Sequence, residues 1–291
     1  MRTKLHGFDY INMIVLILVS IICIYPLWNI FAVSLSDGIY VAASEVYLAP
    51  KGFNIETFKY VLNNPRLGVS LGLWNSFVYT VVGTLVAVLL TFITAYPLSK
   101  KRLAGRKTIM LIFVFTFVFE AGIIPNFIVY KSLGLVNSFW VMIIPGAINT
   151  FLLIIMRSFL DALPEELEES AYIDGASDLQ TMWKIYFPLA RPAIATVSIF
   201  YAVSIWNQYL MPMIYLQKQS LKPITVVLYN LIVSGSKDGT SLESMTVNGV
   251  QLLPQNLQAA AIFLSVAPIL IVYPFAQKYF TKGMLIGAVK G

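Results

Sequence analysis

Long uncharged runs alternate with short charged segments along this chain. No Asp, Glu, Lys or Arg lies between Asp9 and Asp37, Arg66 and Lys100, Lys131 and Arg157, Arg191 and Lys218, or Glu243 and Lys278. A sixth apolar stretch, Thr108 to Tyr130, carries one charge, Glu120. Crossing a bilayer takes about 20 apolar residues, and hydrocarbon offers no partner to an open backbone N–H or C=O. A β-barrel would read as short alternating segments, which these runs are not. The pattern predicts an all-α, polytopic membrane protein with six transmembrane helices in one domain over 1–291. The spans fall near 11–34, 73–98, 108–130, 138–160, 190–215 and 257–280. The first is longer than the apolar region of a cleaved signal peptide, so it is read as a retained span.

Composition agrees, with 58% hydrophobic and 12% charged residues. Lys and Arg near span ends set orientation, while acids contribute little. With six spans both termini share one side. That side collects Arg2, Lys4, Lys100, Lys101, Arg102, Arg106, Lys107, Arg157, Lys184, Arg191, Lys278, Lys282 and Lys290. The other collects only Lys51, Lys59, Arg66, Lys131, Lys218, Lys222 and Lys237. Both termini are therefore expected in the cytoplasm. The cluster KKRLAGRK at 100–107 reads as a topology signal and nothing more. The net charge of +6 follows from orientation, and nothing points to nucleic acid.

One segment on the cytoplasmic side breaks the basic trend. Of fourteen acids in the chain, seven lie at 161–178: Asp161, Glu165, Glu166, Glu168, Glu169, Asp174 and Asp178. Pro164 suits a first helical turn, and the glutamates after it favour the positive end of the helix dipole. Gly175 fits the left-handed position that ends a helix. Ser177 and Gln180 match a capping box for a second helix. Leu179, Met182, Trp183 and Tyr186 then share one face, until Pro188 stops the helix and Pro192 opens the next span. A hairpin lying on the membrane surface would carry Lys and Arg to meet anionic lipid. This one is acidic, and a protein partner with a basic cleft complements it better.

Glu169-Ser170-Ala171, then Asp174-Gly175-Ala176, then Ile185-x-Phe187-Pro188, resembles the EAA motif of ABC-importer permeases. Ser170 and Phe187 depart mildly from it. The six spans, the EAA-like loop at 161–188 between spans 4 and 5, and the terminal GMLIGAVKG resemble the carbohydrate-importer permeases related to the maltose permease MalG. More narrowly, GIIPNFIVYKSLGLVNSFW at 122–140 is similar to the LplC/YtcP-type branch. The resemblance implies a multi-pass permease of the bacterial inner membrane with a cytoplasmic coupling-helix hairpin. It implies a second, non-identical permease subunit, two ATPase subunits, an extracytoplasmic solute-binding protein and an oligosaccharide substrate, with uronate-type oligosaccharides such as alginate or pectin fragments as the narrower hint. Glu169, Ala171, Asp174, Gly175, Ala176, Ile185 and Pro188 would then form the ATPase-coupling site. Gly283, Gly287 and Lys290 would form a tail contacting the ATPases. The loop at 216–256 corresponds in position to the one that reaches the binding protein.

The chain contains no G-x-x-x-x-G-K-[ST] phosphate loop, so active transport would draw on a separate ATPase or an ion gradient; the resemblance implies ATP and Mg on partner ATPase subunits, and this chain is expected to bind no cofactor. His6 and Cys23 are the only His and Cys, which excludes a disulfide within the chain and a Cys- or His-rich metal site, and nothing marks the tail residue His6 as part of a catalytic set. The chain is expected to be a transport subunit, not an enzyme. Candidates for the substrate path are Glu120, Asn149, Asn207 and Gln208, since charged or amide side chains within spans mark pathways or join helices. Trp206 and Tyr209 read first as an interfacial aromatic belt. An ion-coupled secondary carrier is the alternative from another class, but it calls for paired intramembrane acids or inverted halves. An ABC importer of another small polar nutrient is the other.

Overall fold

The structure, a computed structural model, describes residues 7–237 and 244–288. Helix makes up 73% and strand 2%, so the all-α expectation holds but for one short hairpin. Three of the expected spans are continuous helices: α1 (Gly7–Ser34), α4 (Val69–Ser99) and α14 (Pro254–Ala288). The other three are interrupted, which corrects the reading of 108–130, 138–160 and 190–215 as single helices.

Two of the interruptions fall at Gly and Pro residues. At 108–130 the chain forms α5 (Arg106–Val118) and α6 (Ile123–Ser132), bent by 116°. Gly122 turns the backbone with φ +83°. Pro125 then sits in the first turn of α6, where a missing N–H leaves no bond unmade. At 138–160 a 3₁₀ turn, Phe139–Met142, is followed by irregular chain through Pro145 and Gly146. Only Thr150–Asp161, α7, is α-helical there. At 190–215, α11 (Arg191–Asn207) and α12 (Leu210–Tyr215) are separated at Gln208 and Tyr209. Among the described residues three helices are long and apolar enough to cross a membrane, or up to five with each bent pair taken as one span.

The chain divides into two compact units. One comprises residues 1–70 and 227–268. Much of α1 is exposed apolar surface, as a lipid- or partner-facing helix requires. Its C-terminal end is closed by Asn256, which is fully buried. The Asn256 amide donates to the carbonyls of Val33 (3.0 Å) and Ser36 (2.9 Å), supplying partners to groups that a helix end leaves open. Phe263 packs on Phe31 and Phe58. The short helices α2 (Gly38–Ala42) and α3 (Glu56–Asn63) lie between. A hairpin pairs β1 (Met245–Val247) with β2 (Val250–Leu252). Asn248 and Gly249 form its turn with φ +51° and +81°, the pair of positive φ values that a two-residue hairpin loop needs. A Cβ on Gly38 would meet the Gln251 carbonyl oxygen at 2.5 Å, so only glycine fits beneath β2.

The other unit comprises residues 71–226 and 269–291. Its main core joins α4, α7, the segment after α7 and α11 through Phe92, Tyr96, Leu153, Met156, Tyr186 and Val197, all at most 5% exposed. A second core gathers Tyr79, Val141, Met142, Tyr215 and Leu216. Asn75, Ser76 and Tyr79 of α4 bond to the backbone at Ser220, Leu221, Lys222 and Ile224. They anchor the loop that follows α12, at the foot of α13 (Ile224–Lys237).

Candidate functional site: an acidic hairpin and an amide-lined pocket

The acidic segment forms the expected hairpin. Helix α8 (Glu166–Ile173) carries Glu166, Glu168 and Glu169 in its first turn. It ends at Asp174 in a Schellman arrangement: Ala176 N–H donates to Ala171 O (2.9 Å) and Gly175 N–H to Tyr172 O (3.0 Å). That motif puts Gly175 in the left-handed region, and its φ is +77°. Ser177 and Gln180 form a complete capping box for α9 (Asp178–Thr181). The chain does not stop at Pro188. A wide π turn, Met182–Tyr186, leads into α10 (Phe187–Leu189), with Pro188 in its first turn. The axis then bends by 77° into α11. The expected single apolar face is split as a result. Met182 and Tyr186 are buried at 5% and 1%, while Leu179 is 67% exposed.

The site residues fall into two groups. Glu169, Asp174 and Gly175 are exposed, and a Cβ on Gly175 would meet nothing within 4 Å. Ala171 is buried within the chain's own fold, so its small side chain serves internal packing rather than an outer surface. Ile185 packs on the main core, and Ala176 and Pro188 are half-buried. Gly283 and Gly287 fall on α14, and Lys290 lies outside the described residues.

The basic cluster after α4 has a role beyond topology, which corrects the sequence reading. Lys100 pairs with Glu168, Lys101 with Glu165, and Arg102 with both Glu168 (3.1 Å) and Asp178. The Tyr172 hydroxyl donates to Asp178. Arg102 donating to Asp178, then Tyr172 donating to it, hold the Asp178 carboxyl below its ordinary range. Lys101 does the same for Glu165. Burial, then the bond to Asp178, pushes the Tyr172 phenol up. Glu166, Glu169 and Asp174 have no ion-pair partner among the described residues. Of the segment's seven acids, Asp161, Glu165, Glu168 and Asp178 are matched within the chain, and Glu166, Glu169 and Asp174 are exposed. These tertiary pairs join positions more than 60 residues apart, and no local pattern signals them.

The polar span candidates separate in space. A pocket of about 390 Å³ lies among the 3₁₀ turn, α7 and α11, lined by Asn149, Gln208, Ser204, Tyr201, Phe151 and Phe200 among others. Asn149 and Gln208 meet here. Asn207 lines an adjoining recess of about 370 Å³ that Gln208 shares. Asn149 Oδ1 caps α7 by accepting the Leu152 N–H at 3.1 Å. The Asn149 backbone N–H donates to the Tyr201 hydroxyl at 2.8 Å. The Gln208 side-chain amide has no hydrogen-bond partner among the described residues and is half-buried. No charged side chain lines either space. Glu120 is elsewhere: it lies exposed in the break between α5 and α6 rather than within a helical span. Trp206 is buried at 9% and Tyr209 is 51% exposed, so only Tyr209 has the exposure of a belt residue.

Comparison with known proteins places these features. Residues 66–286 match the binding-protein-dependent transport system inner membrane component family. Protein LplC of Bacillus subtilis is 40% identical over 98% of this chain and 95% of its own length. The polygalacturonan/rhamnogalacturonan transport system permease protein YtcP of the same organism is also 40% identical, over 98% of each chain. A crystal structure of a bacterial ABC transporter involved in the import of the acidic polysaccharide alginate contains a chain that superposes with a TM-score of 0.86. That chain is 32% identical, and the match covers 96% of this protein and 100% of it. With a resembling motif, an apolar helical fold and a family match over most of its length, the chain belongs to the inner membrane components of binding-protein-dependent ABC transport systems.

Proposed function

We propose that the chain is one of two non-identical permease subunits of an importer that moves an oligosaccharide inward by alternating access. Two separate ATPase subunits bind ATP and Mg, and an extracytoplasmic solute-binding protein delivers the sugar. Both termini lie in the cytoplasm, as the Lys and Arg distribution favours. The six apolar stretches then form one permease domain over 1–291, with interrupted backbone where it is buried in protein or lines a cavity.

The observation that carries this reading is the hairpin. Its folding charges are matched by Lys100, Lys101 and Arg102, yet Glu169, Asp174 and the bare backbone of Gly175 remain exposed together. A basic cleft on an ATPase would meet this surface. Glu169 pairs with a cation there, and Gly175 admits close approach. Ala171, Ala176, Ile185 and Pro188 hold the hairpin's shape from inside. The tail from Gly283 through Gly287 to Lys290 reaches the ATPases.

The substrate path in this subunit runs by Asn149, Asn207 and Gln208. Amides suit hydroxyl-rich ligands, because each offers donors and an acceptor, and Phe151 and Phe200 offer faces for apolar ring surfaces. A uronate-type oligosaccharide is supported by the names of YtcP and of the alginate transporter. Its carboxylates would be matched by the partner permease or the binding protein, since this pocket is neutral. Glu120 stands apart from the pocket and is not placed on the path. An ion-coupled carrier would need paired intramembrane acids, and family membership argues against it.

The test is a crosslink. In a Cys23→Ser background, Glu169→Cys should crosslink to a cysteine lining the ATPase cleft in the assembled transporter, and transport by proteoliposomes should require ATP. Labelling of the Glu169→Cys thiol from outside intact cells would overturn the orientation and the docking together.

A further inference from the structure

Lys100 is the least exposed basic side chain in the hairpin's ion pairs. It follows directly on α4, and its side chain is 10% exposed against 14% for Glu168. Its ammonium lies 2.5 Å from Glu168 Oε2, 3.5 Å from the centroid of the Tyr186 ring and 4.8 Å from that of Tyr96. Tyr186 follows Glu168 by eighteen residues, and its hydroxyl donates to the same Glu168 oxygen at 3.4 Å. The two rings pack edge to face with centroids 5.2 Å apart. The Tyr96 hydroxyl has no hydrogen-bond partner among the described residues, and Tyr96 contributes its ring to the bracket. One cation thus touches three elements: the end of α4, the first turn of α8 and the π turn.

Lys101 offers an internal comparison. Its pair with Glu165 is 77% and 68% exposed. Exposed pairs of that kind contribute little. A buried pair is costly to desolvate, and removing one partner leaves an uncompensated buried charge, while cations over aromatic faces gain from the same loss of water. The buried pair is therefore the one that can hold an angle.

We propose that Lys100 is the positioning residue of the coupling hairpin: through Glu168 and Tyr186 it locks the hairpin to the end of α4, so that movement of the hairpin turns α4. The proposal rests on the docking reading above for its link to transport, but the lock itself is a property of this chain alone. It makes no contact with substrate and needs no group on the ATPase.

Two measurements test it in the full chain with Cys23→Ser. The first needs no ATPase. Spin labels at the exposed positions Leu85→Cys on α4 and Leu179→Cys on the hairpin should give one narrow distance distribution. Lys100→Met should broaden it, Lys100→Arg should keep it narrow, and Lys101→Met should leave it unchanged. The second uses the transporter assembled with its ATPases in proteoliposomes. Lys100→Met should lower sugar moved per ATP hydrolysed by roughly tenfold, at the upper end for residues along a coupling network. ATPase should still co-purify in wild-type proportion. Lys100→Arg should restore the ratio, because a guanidinium keeps both the charge and the stacking. An unbroadened distribution in Lys100→Met overturns the lock. Broadening with an unchanged transport ratio overturns its role in coupling. Failure of every variant, wild type included, to retain ATPase would defeat the docking reading and the coupling role with it, while the spin-label result still decides the lock.

Discussion

The hydroxyl of Tyr201 accepts the backbone N–H of Asn149 at 2.8 Å, and the same hydroxyl is 2.8 Å from Thr91 Oγ1. One phenol on α11 therefore ties the start of α7 to the middle of α4, at the wall of the amide-lined pocket. Tyr201 is 3% exposed, so water cannot replace it. Tyr201→Phe should preserve the packing and strand the buried Thr91 hydroxyl and the part-buried Asn149 N–H, lowering stability by about 1–3 kcal/mol. Thermal unfolding of the purified protein in detergent reads this, and a melting temperature equal to wild type would show that the tie carries no weight.

Asn149 has two jobs that substitutions can separate. Its Oδ1 caps α7, and Asp caps as well as Asn whereas Ala loses about 1 kcal/mol. Asn149→Asp should therefore fold normally while placing a negative charge in the pocket. If the cargo is a uronate oligosaccharide, like-charge repulsion should cut uptake by at least about tenfold. A neutral sugar should be affected far less. Comparing uptake of galacturonate oligomers with neutral oligomers of the same length decides between them.

Glu169→Lys reverses an exposed charge that no described residue pairs with, so insertion and folding should be unchanged. Transport should fall by at least about tenfold if that carboxylate meets a cation on the ATPase. Gly175→Asn is a companion test, because Asn tolerates the left-handed region and nothing in the chain lies within 4 Å of the added Cβ. Normal yield with lost transport is expected for both. Wild-type transport in either would remove that residue from the docking surface.

The carboxyls of Asp178 and Glu165 sit below their ordinary values of 3.8 and 4.5. A depressed folded-state value means the stabilisation is complete above the ordinary value and lost as pH falls through the depressed one. Between pH 8 and about 5 the hairpin should therefore hold its shape, and below about pH 4 it should loosen. Hydrogen exchange of the amides at 166–181 should stay flat across the upper window and rise below it. A rise already between pH 7 and 6 would contradict the assignment.

Much of the hairpin was legible in the sequence because its determinants are local. Ser177 and Gln180 are three residues apart, and Gly175 sits where the Schellman bonds close. The apolar runs were equally plain, but their continuity was not. Hydrophobicity reports that a segment avoids water and says nothing of where the helix breaks. Gly122 with Pro125, and Pro145 with Gly146, mark the first two breaks. The β hairpin went unseen although Asn248-Gly249 between Val247 and Val250 is a strong turn signal. The ion pairs of Lys100 and Arg102 had no local signature at all, and the cluster's topogenic value hid its tertiary one.

The π turn at Met182–Tyr186 makes spacing, not only composition, a constraint on this segment. Each residue of an α-helix advances the azimuth by about 100°. Deleting a single residue here would swing Ala193, Val197 and Tyr201 off the face they now bury. Related chains should accordingly vary in letters but hold constant length between Gly175 and Pro192, even where side chains such as Lys184 are open to water.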